Sequence, residues 1–299
     1  MISNIDIFSP HCNYDVVKAF AWVNSDLDGV GSAVLLGNIF KNFEYRHCFF
    51  GNFEEQYRIW AKTGLDQYEK VFIVGMSLNQ NLLKTLDDPR VVIVNDRLSG
   101  LKVWDSMLIE GECSSCTRLL YTKFKDRVAF TSDLKRFVLF VDDYNGYTLK
   151  YAETKYLNAL YRRSGGNRFI TFVKRFQNGF DGFTDKEVEI AESFFKELEK
   201  EVDSISIFEG VVKNYKVIST ITLFSVNEIA AYLLEKYKSD VVIIMNPDTQ
   251  SVSFRKSLNS EIDIVWMAEK LCDGGGGPHA SGGKITPKFL EFTKTLKAI

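Results

Sequence analysis

A chain of 299 residues with 45% hydrophobic and 25% charged side chains carries enough apolar material for one large or two ordinary domains. Its net charge of -2 gives no global pull on a polyanion, which excludes duplex DNA or RNA as the expected main partner and leaves open a small anionic ligand held by a local pocket. No apolar run is long enough to cross a bilayer, and the opening residues lack the basic and apolar segments of a signal peptide, so no membrane partner and a cytoplasmic location are expected.

In chain order, the first half alternates strand and helix patterns. Val16 to Val23 is an apolar run rich in β-branched and aromatic residues and predicts a buried strand. Gly29 to Phe40 has helical spacing, and Phe43 to Phe50 reads as a second strand. Val71 to Val74 and Val91 to Val94 are short, wholly apolar strands of the kind found in parallel sheets covered on both faces. The alternation predicts a doubly wound, mainly parallel α/β domain, which would bind ligands at the carboxyl ends of its strands. Leu134 to Val141 leads into Asp142-Asp143-Tyr144, after which helical patterns run on. Thr184 to Val202 is a charged amphipathic helix, with Thr184 as N-cap and Glu187 as capping-box partner.

Near Ser204 the helical pattern stops and strand signals return. This divides the chain into a domain over 1–203 and a smaller α/β domain over 204–299, with a cleft between them. In the second domain Val226 to Tyr237 predicts a helix, Val241 to Met245 a strand, Asn246-Pro247-Asp248 a turn, and Ser251 to Arg255 a hairpin partner. Ile262 to Cys272 is a further helix that stops at four consecutive glycines and Pro278. The five cysteines are odd in number and irregularly spaced, which favours reduced thiols. Cys113 and Cys116 form a lone CxxC without a second ligand pair, so structural cysteines are expected ahead of zinc or redox chemistry.

Three segments carry chemistry. Asn24-Ser25-Asp26-Leu27-Asp28-Gly29-Val30-Gly31 follows the first strand and opens the first helix. Carboxylates at i and i+2 can ligate a divalent metal from one side, and the two glycines allow an anion to approach a helix N-terminus; an ordinary turn with an Asp N-cap has the same look. Gly274 to Gly283, with Gly275, Gly276, Gly277, His279, Ala280 and Ser281, can form an anion-binding nest of backbone N–H groups; a flexible linker is the bland alternative. In Ser251 to Arg255, alternation puts Ser253 and Arg255 on one face, where a hydroxyl and a guanidinium suit a phosphate, although a polar strand face is often just solvated.

Together these segments resemble the DHH/DHHA1 phosphoesterase family. Ser25 to Ala33 resembles its first motif, Asp142-Asp143-Tyr144 its fourth, Ser253-Phe254-Arg255 its serine–arginine strand, and Gly274 to Gly283 its glycine motif, in the same order along nearly the whole chain. The resemblance implies two divalent ions, usually manganese, activating water against a phosphodiester of a short oligonucleotide or cyclic dinucleotide. The departures fall on the ligands that this chemistry needs. Asn24 stands where the first histidine is expected, Gly75 replaces an aspartate, Asn95-Asp96-Arg97 replaces the DHH triplet, and Gly277 replaces the histidine of the glycine motif. Asp26, Asp28 and Asp142 are kept and are the residual metal candidates, while Arg97 adds a positive charge that offsets part of theirs.

The expectation is therefore a degenerate site with no catalytic residue, no paired metal and no cofactor, in which Asn24, Asp26, Asp28, Asn95, Arg97, Asp142, Ser253, Arg255 and the glycine loop bind a small anionic nucleotide. Its function would be to sequester a cyclic dinucleotide or a cyclic ADP-ribose isomer. The form of the motifs resembles bacteriophage variants, which would make it an anti-defence sponge in the host cytoplasm, with a homo-oligomer left open. The alternatives are a metal-dependent phosphodiesterase using manganese on Asp26, Asp28 and Asp142, and a structural protein that inherited the fold.

Overall fold

The computed structural model describes residues 5–9, 11–96, 103, 106–111 and 113–298. Contacts divide the chain into two compact units, one formed by residues 1–145 and 149–190, the other by residues 146–148 and 191–299. No helix among the described residues is long and apolar enough to cross a membrane.

The first unit opens with β1 (Lys18–Asn24), α1 (Leu27–Ile39), β2 (Asn42–Cys48) and α2 (Phe53–Trp60). It continues with β3 (Lys70–Val74), α3 (Gln80–Leu86), β4 (Val91–Asn95) and β5 (Met107–Glu110). Five helices follow: α4 (Cys116–Phe124), α5 (Ser132–Asn145), α6 (Ala152–Arg163), α7 (Arg168–Arg175) and α8 (Asp185–Ser204), the last shared with the second unit. The strands form one sheet in the order β2-β1-β3-β4-β5, and every pairing is parallel. Phe20 and Trp22 of β1, with Ile73 of β3 and Ile93 of β4, pack on Phe53 and Tyr57 of α2 and Leu82, Leu83 and Leu86 of α3. The other face of β1 offers only Ala19, Ala21 and Val23, which lets α1 lie close.

The expected strands and helices are present with shifted ends. Val16 is 68% exposed and sits in a turn, so β1 starts at Lys18. The α1 helix starts at Leu27, two residues before the expected Gly29, because the Asp26 carboxylate accepts from the Gly29 N–H and caps it. β2 ends at Cys48 instead of Phe50. The capping box forms as expected: Thr184 N–H donates to Glu187 at 2.8 Å and Glu187 N–H to the Thr184 hydroxyl at 3.3 Å.

The second unit contains β6 (Ile207–Val212), β7 (Tyr215–Ile221), α9 (Val226–Tyr237), β8 (Val241–Asn246), β9 (Ser251–Lys256) and α10 (Ile264–Cys272). It ends with β10 (Gly275–Gly276), β11 (Ala280–Lys284), α11 (Pro287–Thr293) and β12 (Lys297–Ala298). Its sheet runs β10-β11-β9-β8-β7-β6-β12 and is antiparallel except for β7 with β8, which the α9 crossover joins. Val252 and Phe254 of β9 face the core made with Met267, Ala268 and Phe289 of α10 and α11. Ser251, Ser253 and Arg255 therefore lie on the opposite face, as the alternation requires.

Candidate functional site

The strand order reverses between β1 and β3, and a doubly wound sheet opens a crevice at such a point, beyond the carboxyl ends of its strands. Asn24 ends β1, Gly75 follows β3 and Asn95 ends β4. The loops after these strands and the N-terminus of α1 carry Asn24, Asp26, Asp28 and Asp96, and Asp142 of α5 is joined to them through Ser115 at the start of α4.

Each of the three retained carboxylates is held by the protein's own donors. Asp26 accepts the Gly29 N–H at 2.8 Å on Oδ1 and the Asn24 side-chain amide on Oδ2. Asp28 is buried and reaches across to α4, accepting the Cys116 N–H at 2.9 Å on Oδ2 and the Thr117 N–H at 2.8 Å on Oδ1. It thus satisfies two of the N–H groups that a helix leaves unpaired in its first turn, and sits at the positive end of that helix. Asp142, on α5, accepts from the Ser115 hydroxyl at 2.8 Å, and Ser115 caps the same helix α4 through the Arg118 N–H. Asp96 is joined to α5 by the Asn145 amide at 3.3 Å. Asn145 also donates to Ser114 O at 2.6 Å.

Burial dominates the electrostatics. It pushes the Asp28 carboxyl up to about 7, helped by the neighbouring charges of Asp26 and Asp96. Asp26 and Asp142 are also raised, again chiefly by burial and against the hydrogen bonds that favour their charged forms. Cys116 lies within this acidic surrounding and its thiol is held well above the ordinary range, first by burial and then by Asp28 and Asp96. Cys113 and Cys116 are both free thiols, Cys116 buried and Cys113 partly so.

The paired-metal centre that the family resemblance implies would draw on Asp26, Asp28 and Asp142. Both oxygens of Asp26 and both of Asp28 already accept one hydrogen bond each, from the Asn24 amide, the Gly29 N–H and the Cys116 and Thr117 N–H groups. Among the described residues no group of three or more His, Cys, Asp or Glu side chains is arranged to hold a metal ion. Arg97 lies outside the described residues.

In the second unit, Arg255 is engaged on every side. Its Nε and Nη2 donate to the Asn227 amide oxygen of α9 at 3.0 and 2.8 Å, and its Nη1 to Phe254 O at 2.8 Å and Ser281 O at 3.3 Å. The guanidinium lies 5.5 Å from the centre of the Tyr147 ring, and the Tyr147 hydroxyl donates to Asn227 O at 2.8 Å. The glycine segment forms a β-hairpin where a nest was expected. Gly275 pairs with Gly282 and Gly276 with Ser281, the Gly277 N–H donates to Ala280 O, and the Gly274 N–H goes to Ala268 O. Gly276 has φ +146°, and a side chain there would meet Ser281 Cα at 2.5 Å. The Ser281 hydroxyl, expected to contact ligand, is buried and donates to Ile264 O at 2.7 Å. His279 Nδ1 is buried without a hydrogen-bond partner among the described residues.

The sequence reading missed Ser115, Thr117, Asn145, Asn227 and Tyr147. Only Ser115 carried a visible signal, as a serine before a helical run, and the CxxC reading of Cys113 to Cys116 obscured it.

No family model matches the chain, and no curated protein matches it by sequence. Among solved structures, it is similar to a pGpG-specific phosphodiesterase from Vibrio cholerae, with 15% identity, 93% of this chain and 96% of that one covered, and a TM-score of 0.54. It is also similar to an exopolyphosphatase-related protein from Bacteroides fragilis, with 15% identity, 94% and 91% covered, and a TM-score of 0.51. A third is RecJ from Thermus thermophilus in complex with Mn2+, with 11% identity and a TM-score of 0.53; 92% of this chain is covered, and it spans about half, 50%, of that one. At these identities the likeness establishes the fold of this chain alone.

Proposed function

We propose that this chain binds a small phosphorylated nucleotide, of the cyclic dinucleotide or cyclic ADP-ribose type, and holds it without cleaving it. As a sponge it would remove a signal by stoichiometry, in a host cytoplasm if a phage encodes it. The observation that carries this reading is that both oxygens of Asp26 and of Asp28 accept hydrogen bonds from the protein's own N–H donors, so the groups expected to hold metal build the loop and the start of α4. The upward shifts at Asp26, Asp28 and Asp142 support it, because a partly protonated cluster repels a phosphate less than three full charges would. Asp142 Oδ2 has no hydrogen-bond partner among the described residues and offers an acceptor to a ligand hydroxyl. Nanomolar capture requires roughly 12 kcal/mol, which several phosphate contacts and one enclosed base can supply.

A second reading, a metal-dependent phosphodiesterase, is favoured by the fold shared with the pGpG-specific phosphodiesterase. One experiment separates the two. The protein is mixed with cyclic dinucleotides and cyclic ADP-ribose isomers, with and without manganese, and then heat-denatured. Sequestration returns intact ligand that was undetectable before heating. Cleaved products in molar excess over protein, formed only with manganese, establish the phosphodiesterase. Failure to capture or cleave any of them removes both readings.

A further inference from the structure

β2 is an edge strand of the parallel sheet, paired with β1 on one side only. At seven residues it is the longest edge strand among the described residues; β5 has four, and β10 and β12 have two each. It contains no proline and no lysine, two of the residues that blunt an exposed edge. One hydrogen bond fixes how its backbone is turned. Cys48 O accepts the Ser25 N–H at 3.0 Å, so the main-chain groups of Cys48 point to β1. Alternation turns those of Arg46, Glu44 and Asn42 the same way and aims the N–H and C=O groups of Phe43, Tyr45 and His47 outward. These outward groups have no hydrogen-bond partner among the described residues.

The side chains of β2 divide between the two faces of the sheet. Phe43, Tyr45 and His47 form an aromatic row on the α7 side, where Phe169 lies 5.8 Å from Tyr45 and 4.3 Å from His47, ring centre to ring centre. Glu44 and Arg46 are exposed on the α2 side. The Tyr68 hydroxyl donates to Glu44 at 2.8 Å, and the Arg46 guanidinium lies 5.8 Å from the centre of the Trp22 ring. Arg46 pairs with no carboxylate among the described residues, whereas Arg58, Arg90, Arg136 and Arg175 of this unit each do. Apolar surface flanks the strand on both faces. Gln56 of α2 and Ile170 of α7 border a surface depression along it, and Ile170 is 41% exposed. Ile59, three residues on from Gln56 and so on the same side of α2, is 64% exposed.

We infer that the β2 edge docks a second copy of this chain, by antiparallel pairing across a two-fold axis at Tyr45 that joins two parallel sheets into one. The charge pattern selects the copy and the register. Residues that face outward must meet residues that face outward, so Phe43 opposes the partner's His47 and Tyr45 the partner's Tyr45, each pair exchanging both N–H···O bonds. In that register Glu44 stands directly opposite the partner's Arg46, and Arg46 opposite the partner's Glu44. These are positions of closest side-chain approach on the α2 face, and the aromatic row meets its own copy on the other. Moving the axis by one residue sets Glu44 against Glu44 or Arg46 against Arg46, and like charges directly opposite are unfavourable. The strand is thus self-complementary in one register. A two-fold contact also uses up the edge on both copies, so assembly stops at the dimer. No ligand takes part, and the contact stands apart from the capture reading.

The test is the mass of the full chain by sedimentation equilibrium over a range of concentrations, without ligand. A dimer that grows no further is expected. Glu44→Arg and Arg46→Glu each turn two opposite-charge contacts into two like-charge ones and should weaken the dimer about tenfold or more. Both side chains are exposed, so each variant should keep the native circular dichroism spectrum. Mixed in equal amounts, the two variants should form a mixed dimer, because arginines on one chain then face glutamates on the other. A chain carrying both substitutions should dimerise as the native one does. The inference is overturned by a native chain that stays monomeric, by assembly beyond the dimer, by a dimer that neither single substitution weakens, or by folded variants that fail to associate when mixed. If a single variant unfolds, the doubly substituted chain decides: a native-like dimer supports the register and a monomer overturns it. Loss of the dimer leaves nucleotide capture standing, and failure of capture leaves the dimer.

Discussion

The loop after β1 and the hairpin after α10 both carry residues expected to meet a ligand, yet they are committed to the fold in different ways. In the loop the commitment is made by side chains: Asp26 and Asp28 turn their carboxylates to N–H groups of α1 and α4. In the hairpin it is made by the absence of side chains. A Cβ on Gly282 would lie 2.5 Å from Val252 O, and one on Gly274 2.0 Å from Gly282 O, so the backbones pack where no other residue fits. Packing alone therefore accounts for glycine at these two positions, whatever ligand the loop meets.

The largest effect expected from this contrast is at Gly282. Gly282→Val forces the Val252 carbonyl away from β11 and should cost about 3 kcal/mol or more, read as a lower midpoint in urea denaturation. Full stability in that variant would show that the hairpin is loosely packed and reopen the nest. Next comes Asp28→Ala, which leaves the Cys116 and Thr117 N–H groups buried without acceptors and should cost about 2–4 kcal/mol. The pH dependence sharpens it. A carboxyl raised in the folded state holds more protons there than in the unfolded chain, so its stabilising contribution is complete below the ordinary carboxylate range and is lost as pH rises to about 7. Native stability should fall over that window and Asp28→Ala should fall less; parallel pH profiles would reject the raised Asp28. The smallest effect is expected at Gly275, where an added Cβ meets nothing within 4 Å. Gly275→Ala should change stability by less than about 0.5 kcal/mol, and a large loss would mean that all four glycines are equally constrained.

The parallel sheet was legible because Val71 to Val74 and Val91 to Val94 are unbroken apolar runs, and both became central strands. β5 was not, since its four residues, Met107 to Glu110, are too few to show a period. The same limit applies to the site. Asp26 and Asp28 announced themselves as a carboxylate pair, but what neutralises Asp28 is backbone N–H 88 and 89 residues away, and a backbone amide has no signature in a sequence. Arg255 was identified as a strand-face guanidinium, whereas the oxygen that occupies it belongs to Asn227, an unremarkable residue of α9.

Tyr147 has a consequence for how this protein can be taken apart. It lies just past α5, with φ +56°, yet it packs with the second unit, under the Arg255 guanidinium and bonded to Asn227 O. The second unit is thus assembled from two stretches of chain that are more than forty residues apart, 146–148 and 191–299. Excision after either residue 190 or residue 203 leaves its tyrosine behind, and Arg255 would lose the ring beneath it. In genetic terms the two halves are not portable modules: recombination that exchanged the C-terminal segment would have to bring a matching aromatic residue in from the other half of the gene.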